Sequence, residues 1–574
     1  MHYNVIRRPN VDDSHLPATL PFLLKQLYAR RGVTVRDCNS SLASLLRPDT
    51  MKGQQQAATL ICDAIESNKA IIIVGDFDAD GATSTSICLL ALKMMGAKRV
   101  SYLIPNRFDY GYGLSPEIVE IAAQQGAELL ITVDNGISSI TGVAAANQLD
   151  IPVVVTDHHL AGDTLPEAAA IVNPNQPDCP FASKAIAGVG VAFYLMSSIR
   201  AELKRRNWFE SQHIIEPNLA ILLDIVALGT VADVVPLDSN NRIIVEAGLR
   251  RVRSGRCRVG ITALLEIAKR NPQRVVASDF GFAVGPRLNA AGRLDEMSLG
   301  VELLLCEDIN KARTMAAELD GLNQERREIE AGMQHEALAK LKQLNINDDN
   351  LPQGLVVYQQ DWHQGVIGIL ASRIKDKYHR PVIAFAQAEN GEIKGSARSI
   401  KGVHMRDLLE KINTLSPDLI IKFGGHAMAA GLSIKAEAIS KFEQLYHQVI
   451  AETVTPELLT GELFSDGELA ANQLEIETAE MIRYAGPWGQ EFEEPCFDGR
   501  FTIIQQRLVG EKHLKLVLET ECGSKLIDAI AFNIDLKAWP NLQAKKVDVV
   551  YSLEINEFRG NQSLQLMVKQ ISAV

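Results

Sequence analysis

No apolar run in this chain reaches the roughly 18 residues that a membrane-spanning helix needs. Its opening, Met1-His2-Tyr3-Asn4-Val5, lacks the apolar stretch of a signal peptide. Cytoplasm is therefore the expected location, with no membrane association. None of the eight cysteines, at 38, 62, 88, 179, 257, 306, 496 and 522, shows C-x-x-C spacing. Neither a zinc ribbon nor a disulfide framework is indicated, as suits a reducing compartment. Positive charge is also scarce: 58 Lys and Arg against 70 Asp and Glu leave a net charge of -12. As a sum this speaks against nucleic acid, but the clustering of charge matters more than its total. At about 150 residues per domain, 574 residues of ordinary globular composition suggest three or four domains.

What the chain does have is organised around Ile71-Ile72-Ile73-Val74-Gly75-Asp76-Phe77-Asp78-Ala79-Asp80-Gly81. A β-branched run of strand length drives into three carboxylates on alternate positions, and Thr83-Ser84-Thr85-Ser86 then opens a helix. Such a tip is where an open α/β sheet holds a cation and a phosphate. A calcium-binding EF-hand loop also begins D-x-D-x-D-G. That loop needs Glu at its twelfth position, where this chain has Ile87, and the segment before it is strand-like rather than helical.

Strands are expected at 70–74, 100–104, 129–133 and 151–155, with helices at 83–95 and from Ser115-Pro116 to Gly126. Strands this uniformly apolar predict a parallel sheet covered on both faces. The first ends in Asp76, Asp78 and Asp80, the third in Asp134-Asn135-Gly136, and the fourth in Thr156-Asp157-His158-His159. A doubly wound sheet brings such ends to one edge. A single Asp there is usually a helix cap; three acidic clusters, one with paired histidines, exceed what capping explains. After an apolar helix at 219–227, Asp233 offers another carboxylate and is preferred over Asp224 within the apolar run. Carboxylates with imidazole and no thiolate suit Mn²⁺ or Mg²⁺ better than structural zinc. A bridging carboxylate could hold two such ions for phosphodiester hydrolysis.

Asp78-x-Asp80-Gly81, Val133-Asp134-Asn135-Gly136, Asp157-His158-His159 and Gly229-Thr230-Val231-Ala232-Asp233 resemble the successive motifs of the DHH phosphoesterase superfamily. Nearly the whole chain resembles its single-strand-specific exonucleases. The resemblance implies Asp78, Asp80, Asp134, His158 and Asp233 as ligands of two Mn²⁺ or Mg²⁺ ions, with Asp134 bridging and Asp76 a further ligand. His159 would face the phosphate, supported by Asp157. The same resemblance implies digestion of single-stranded DNA from its 5′ end to mononucleotides, in repair and recombination. It further implies a monomer that works with a single-strand-binding protein and a helicase supplying single strands.

Nine basic residues at 242–274 face only Glu246 and Glu266, which reads either as a solvated face or as a track for a phosphate backbone. Gly285-Pro286-Arg287-Leu288-Asn289-Ala290-Ala291-Gly292-Arg293 reads as a glycine loop whose Arg287 and Asn289 hold substrate, and the resemblance adds Arg107. Residues 307–343 predict one helix with an apolar seam at Met315, Leu319, Leu322, Ile329 and Met333, suited to connecting two domains. Beyond it, Lys394 to Ser399 and Phe423 to Gly431 resemble the substrate-gripping DHHA1 domain. There Arg398 would clamp a phosphate, Gly424-Gly425-His426 would approach one with backbone amides and imidazole, and Ser372 and Arg373 would hold a terminal phosphate. Five short strands after about 456 suggest an OB-fold barrel binding single strands, with Arg507, Lys512, Lys515 and Arg559 as candidate contacts.

The expected architecture is α/β with a terminal barrel: an N-terminal segment (1–50), a parallel-sheet DHH catalytic domain (51–306), a connecting helix (307–348), a smaller α/β DHHA1 domain (349–455) and an OB-fold (456–574). Short DHH enzymes that cut small oligonucleotides or cyclic dinucleotides, and manganese pyrophosphatases, share the metal motifs but need neither connector nor barrel. A replication scaffold that had lost its ligands would not keep every motif position. Gly188-Val189-Gly190-Val191-Ala192-Phe193 is a poor dinucleotide loop, with Phe in place of the third Gly or Ala and no strand before it.

Overall fold

The structure, a computed structural model, describes residues 3–106, 110, 112–343, 351–388, 391–536, 538–558 and 560–574. Contacts divide the chain into two units. One comprises Pro9–Asn323 with Leu474–Pro495; the other comprises Met1–Arg8, Gln324–Gln473 and Cys496–Val574.

The first unit is built on a five-stranded, wholly parallel sheet in the order Val100–Leu103, Ile71–Val74, Leu129–Val133, Val153–Thr156, Ala170–Val172. Its strands are apolar throughout because each face meets its own core. Ile71, Ile73, Leu129, Ile131 and Val133 join one cluster, while Ile72, Val74, Leu130, Val153 and Val155 join another. Each such side chain contributes about 1.5–3 kcal/mol when fully buried. The strand order reverses between Ile71–Val74 and Leu129–Val133, which opens a crevice beyond their carboxyl ends. Asn135 fastens that point, its Nδ2 donating to Val74 O at 3.1 Å and Val133 O at 2.9 Å.

Three local expectations change. The helix after the acidic tip is Ala79–Met94, not one beginning at Thr83, because Asp78 caps it: its Oδ1 accepts from Asp80 N at 2.9 Å and Gly81 N at 3.0 Å. Gly285–Leu294 is a helix rather than a loop, with Pro286 in the first turn where its missing N–H leaves nothing unsatisfied. Leu474–Pro495, expected in the barrel domain, packs within the first unit, where Trp488 stacks on Phe492 at 4.9 Å and Leu237 N donates to Gln490 O.

The second unit contains a mixed sheet, in the order Ile420–Gly425, Ala429–Lys435, Glu392–Arg398, Val382–Gln387, Leu355–Gln359, and a closed five-stranded barrel. The barrel strands are Phe497–Val509, His513–Thr520, Leu526–Ala531, Asn561–Ala573 and Lys546–Phe558, as expected for an OB-fold. Asn4–Arg7 pairs in parallel with Glu462–Ser465, so the first residues serve this unit. The helix Ile309–Gln343 runs unbroken for 35 residues; Leu319 and Met333 of its seam are buried, and Met315, Leu322 and Ile329 partly so. Among the described residues, no helix is long and apolar enough to cross a membrane.

Candidate metal centre

Three strand ends and one helix end deliver the first unit's acidic side chains to the crevice. His158 Nε2 lies 3.2 Å from Asp134 Oδ1, 3.4 Å from Asp233 Oδ2 and 4.0 Å from Asp80 Oδ2. Oxygens of Asp76, Asp78 and Asp134 lie within 4.8 Å of one another, as do ligand-type atoms of Asp80, His158 and Asp233 and of Asp134, His158 and His159.

Asp80 is held by the start of the helix Gly188–Arg205: Gly188 N donates to Oδ2 at 2.7 Å and Val189 N to Oδ1 at 2.8 Å. The helix dipole favours a carboxylate there. Only glycine fits at 188, since a Cβ would stand 2.6 Å from Asp134 Oδ1. Asp233 occupies the opposite kind of end, closing the helix Leu223–Ala232, where the dipole repels its charge. Asp134 has a left-handed backbone, φ +61°, of the sort strained sites retain. Burial, followed by the charge of Asp78, pushes Asp80 up to about 7. Burial and neighbouring carboxylates raise Asp134 and Asp233 well above the usual range. Among the described residues, the buried Asp134 Oδ1 and Asp233 Oδ2 accept no hydrogen bond. Crowded, dehydrated carboxylate oxygens beside an imidazole need a cation. With no thiolate among them, they fit Mn²⁺ or Mg²⁺.

Asp157 stands behind the histidine pair. Its Oδ2 accepts from Ile137 N at 2.9 Å; its Oδ1 accepts from His158 N at 2.7 Å, His159 N at 3.0 Å and His159 Nδ1 at 2.7 Å. Burial opposes its ionisation, but the His159 hydrogen bond and charge outweigh that and leave it at about 2. His159 responds in kind: burial lowers its pKa, the Asp157 partner overcomes this, and the result is about 9. Asp224 is engaged elsewhere, accepting from Ile225 N at 3.0 Å and Arg258 N at 2.7 Å.

The candidate substrate residues are placed more variously. Arg107 lies outside the described residues, as does Arg559. Asn289 Oδ1 accepts from Ala79 N at 2.8 Å, so it braces the acidic tip. Arg287 donates to Ala283 O at 2.6 Å and pairs with Asp320 at 2.8 Å. In the other unit, Ser372 Oγ donates to Gly368 O, and Arg373 pairs with Glu330 at 2.7 Å. Arg398 donates to Ser396 Oγ and Ala397 O, while Gly424 and Gly425 end a strand whose turn exposes His426. Lys515 pairs with Asp528 at 3.2 Å; both line a barrel cavity of about 280 Å³ together with Arg507.

Of the nine basic residues in 242–274, Arg242, Arg251, Arg253 and Arg258 are partly buried, while Arg250, Arg256, Lys269, Arg270 and Arg274 are exposed. Arg242 covers the Phe492 ring at 4.2 Å and donates to Leu237 O; Arg253 donates to Val275 O, and Arg258 to the carbonyls of Leu304 and Leu305. These guanidiniums satisfy carbonyls of their own unit.

Comparison with known proteins bears on the whole length. The DHH family N-terminal domain matches residues 70–230, the DHHA1 domain 352–452 and the RecJ OB domain 465–570. The single-stranded-DNA-specific exonuclease RecJ of Salmonella typhimurium is 56% identical over 568 residues, covering 99% of this chain and 98% of that protein. The chain belongs to the RecJ family. RecJ of Escherichia coli is 55% identical over the same shares of both chains. The crystal structure of RecJ in complex with Mn²⁺ from Thermus thermophilus superposes with a TM-score of 0.78 at 28% identity, covering 96% of this chain and 76% of that one.

Sequence reasoning missed several residues that shape this RecJ-family centre. Gly188 and Val189, dismissed as a failed dinucleotide loop, are the amides that hold Asp80. Tyr112 Oη donates to Asp134 O at 3.1 Å and sits 3.1 Å from His159 Nδ1. Asn173 and Asn175 donate to the carbonyls of His159 and His158. An asparagine beyond an unexpected three-residue strand, Ala170–Val172, carries no local signal of such a role.

Proposed function

We infer that this chain is a single-stranded-DNA-specific exonuclease that hydrolyses phosphodiester bonds with Mn²⁺ or Mg²⁺. The observation that carries it is the convergence of Asp76, Asp78, Asp80, Asp134, His158 and Asp233 around buried carboxylate oxygens without hydrogen bonds, in a member of the RecJ family. Relatives solved with Mn²⁺ and with Mg²⁺ support the choice of ion.

These six side chains would hold the Mn²⁺ or Mg²⁺, which when bound would supply an activated water and offset charge on the leaving oxygen. Asp80, fixed by two amides, keeps its oxygens aimed without reorganisation. Asp157 holds His159 by Nδ1, so His159 presents a proton at Nε2 to a phosphate oxygen. Arg107, Arg287, Asn289, Ser372, Arg373, Arg398 and the Gly424-Gly425-His426 turn are proposed to hold the strand, with Ser372 and Arg373 taking its terminal phosphate.

Digestion from the 5′ end to mononucleotides, action as a cytoplasmic monomer, and partnership with a single-strand-binding protein and a helicase are proposed on family membership. End-labelled single strands test the polarity. With Mn²⁺, a 5′ label should appear at once as mononucleotide while a 3′ label stays on shortening strands. The reverse pattern overturns the assigned direction, and equal loss of blunt duplex overturns strand specificity.

A further inference from the structure

Within the second unit, the part of the helix Ile309–Gln343 that follows Asn323 carries Arg326 and Glu330 one turn apart, with side chains 9% and 10% exposed. Glu330 serves two guanidiniums. Its Oε2 lies 2.6 Å from Arg326 Nη1 and its Oε1 2.7 Å from Arg373 Nε. Arg373 stands beside Ser372 on the helix Ile367–Tyr378, its side chain 55% exposed.

Charge shows what this arrangement is for. Arg326 and Glu330 neutralise each other, so their burial needs no third group. Arg373 adds a cation that the cluster leaves uncompensated. Among the described residues, its Nη1 and Nη2 make no hydrogen bond or ion pair. A guanidinium tethered at Nε keeps its end-on fork for two oxygens of one phosphate. The tether also fixes the plane of that fork and removes rotamer freedom that binding would otherwise have to take away.

We propose that Glu330 is a positioning residue that aims Arg373 at the terminal phosphate of the DNA strand. This rests on the reading of Arg373 as phosphate anchor given under Proposed function. Arg326 is the buried counter-charge that holds Glu330 in place, and the long helix is the rigid mount for both.

The test compares kcat/KM on 5′-phosphorylated and 5′-hydroxyl single strands for the full chain, Arg373→Ala, Glu330→Gln and the two combined. Glu330→Gln should lower the preference for the phosphorylated strand about tenfold, through KM rather than kcat. The combined variant should show no less preference than Arg373→Ala alone. If Arg373→Ala keeps the wild-type preference, the anchor reading fails and takes this proposal with it. If Arg373→Ala loses the preference while Glu330→Gln keeps it and merely melts earlier, the anchor stands and Glu330 is only structural. Should Glu330→Gln fail to fold because Arg326 loses the Glu330 carboxylate, Arg326→Met with Glu330→Gln removes both buried charges, and the same comparison decides.

Discussion

Replacing Gly292 by alanine puts a methyl group where the backbone leaves no room. A Cβ there would lie 1.7 Å from Phe77 O, 2.9 Å from Phe77 C and 3.2 Å from Met297 Cε. Real Cβ contacts essentially never fall under 3.0 Å, so the helix Gly285–Leu294 and the acidic tip must part by about 1.3 Å, the difference between 3.0 and 1.7 Å. Neither side yields easily. Phe77 O is backbone between Asp76 and Asp78, and Asn289, one turn earlier on the same helix, accepts from Ala79 N at 2.8 Å. Overpacking of this kind costs about 1–3 kcal/mol, and a lost Asn289 bond adds about 1 kcal/mol. The catalytic effect is larger, because a displacement of about 1 Å at reacting groups costs about 100-fold. Calorimetric Mn²⁺ titration and steady-state turnover of folded Gly292→Ala should show affinity weakened at least about tenfold and kcat/KM lowered about 100-fold. Wild-type affinity and turnover would refute the idea that this helix braces the tip.

Two further outcomes follow from single side chains. Asp157→Asn turns an amide NH₂ toward either Ile137 N or the histidine amides and removes the charge that orients His159; kcat should fall about 10–100-fold and stability by about 1–3 kcal/mol. Turnover within twofold of wild type, with an unchanged denaturation midpoint, would contradict this. Cys522 is exposed, and hydrogen bonds from Ser524 and Thr520 lower its pKa to about 7, while burial pushes Cys62 and Cys88 up to about 12. Thiolate is the reactive form, so iodoacetamide should label Cys522 first, its rate rising as pH passes 7. Peptide mapping that finds Cys62 or Cys88 labelled sooner would overturn that order.

The parts of the fold legible in the sequence were those with a local cause. Ile71 to Val74 and Leu129 to Val133 read as buried strands because their alternate residues meet two cores, so every position is apolar. The five barrel strands showed through alternation and turns. What stayed hidden depends on distant partners. The pairing of Asn4–Arg7 with Glu462–Ser465 joins residues over 450 positions apart, and four residues carry too little pattern to announce it. Arg242, Arg253 and Arg258 read like the exposed arginines around them because composition does not say whether a guanidinium meets water or a carbonyl. Gly285 to Arg293 looked like a loop because its glycines serve close packing, which resembles turn chemistry until Phe77 O is seen against Gly292. Of the site, the acidic and histidine clusters were visible as strand-end motifs. Gly188, Tyr112, Asn173 and Asn175 were not, since each acts through a backbone amide or on a backbone carbonyl far away in sequence.

The most direct measurement is turnover of a 5′-labelled single strand by Asp134→Asn in Mn²⁺, beside a thermal unfolding curve. Among the described residues, Asp134 shares one cluster with Asp76 and Asp78 and another with His158 and His159. The expected result is a folded protein with no detectable release of labelled mononucleotide. Wild-type turnover by that variant would contradict the assignment of this crevice as the metal centre.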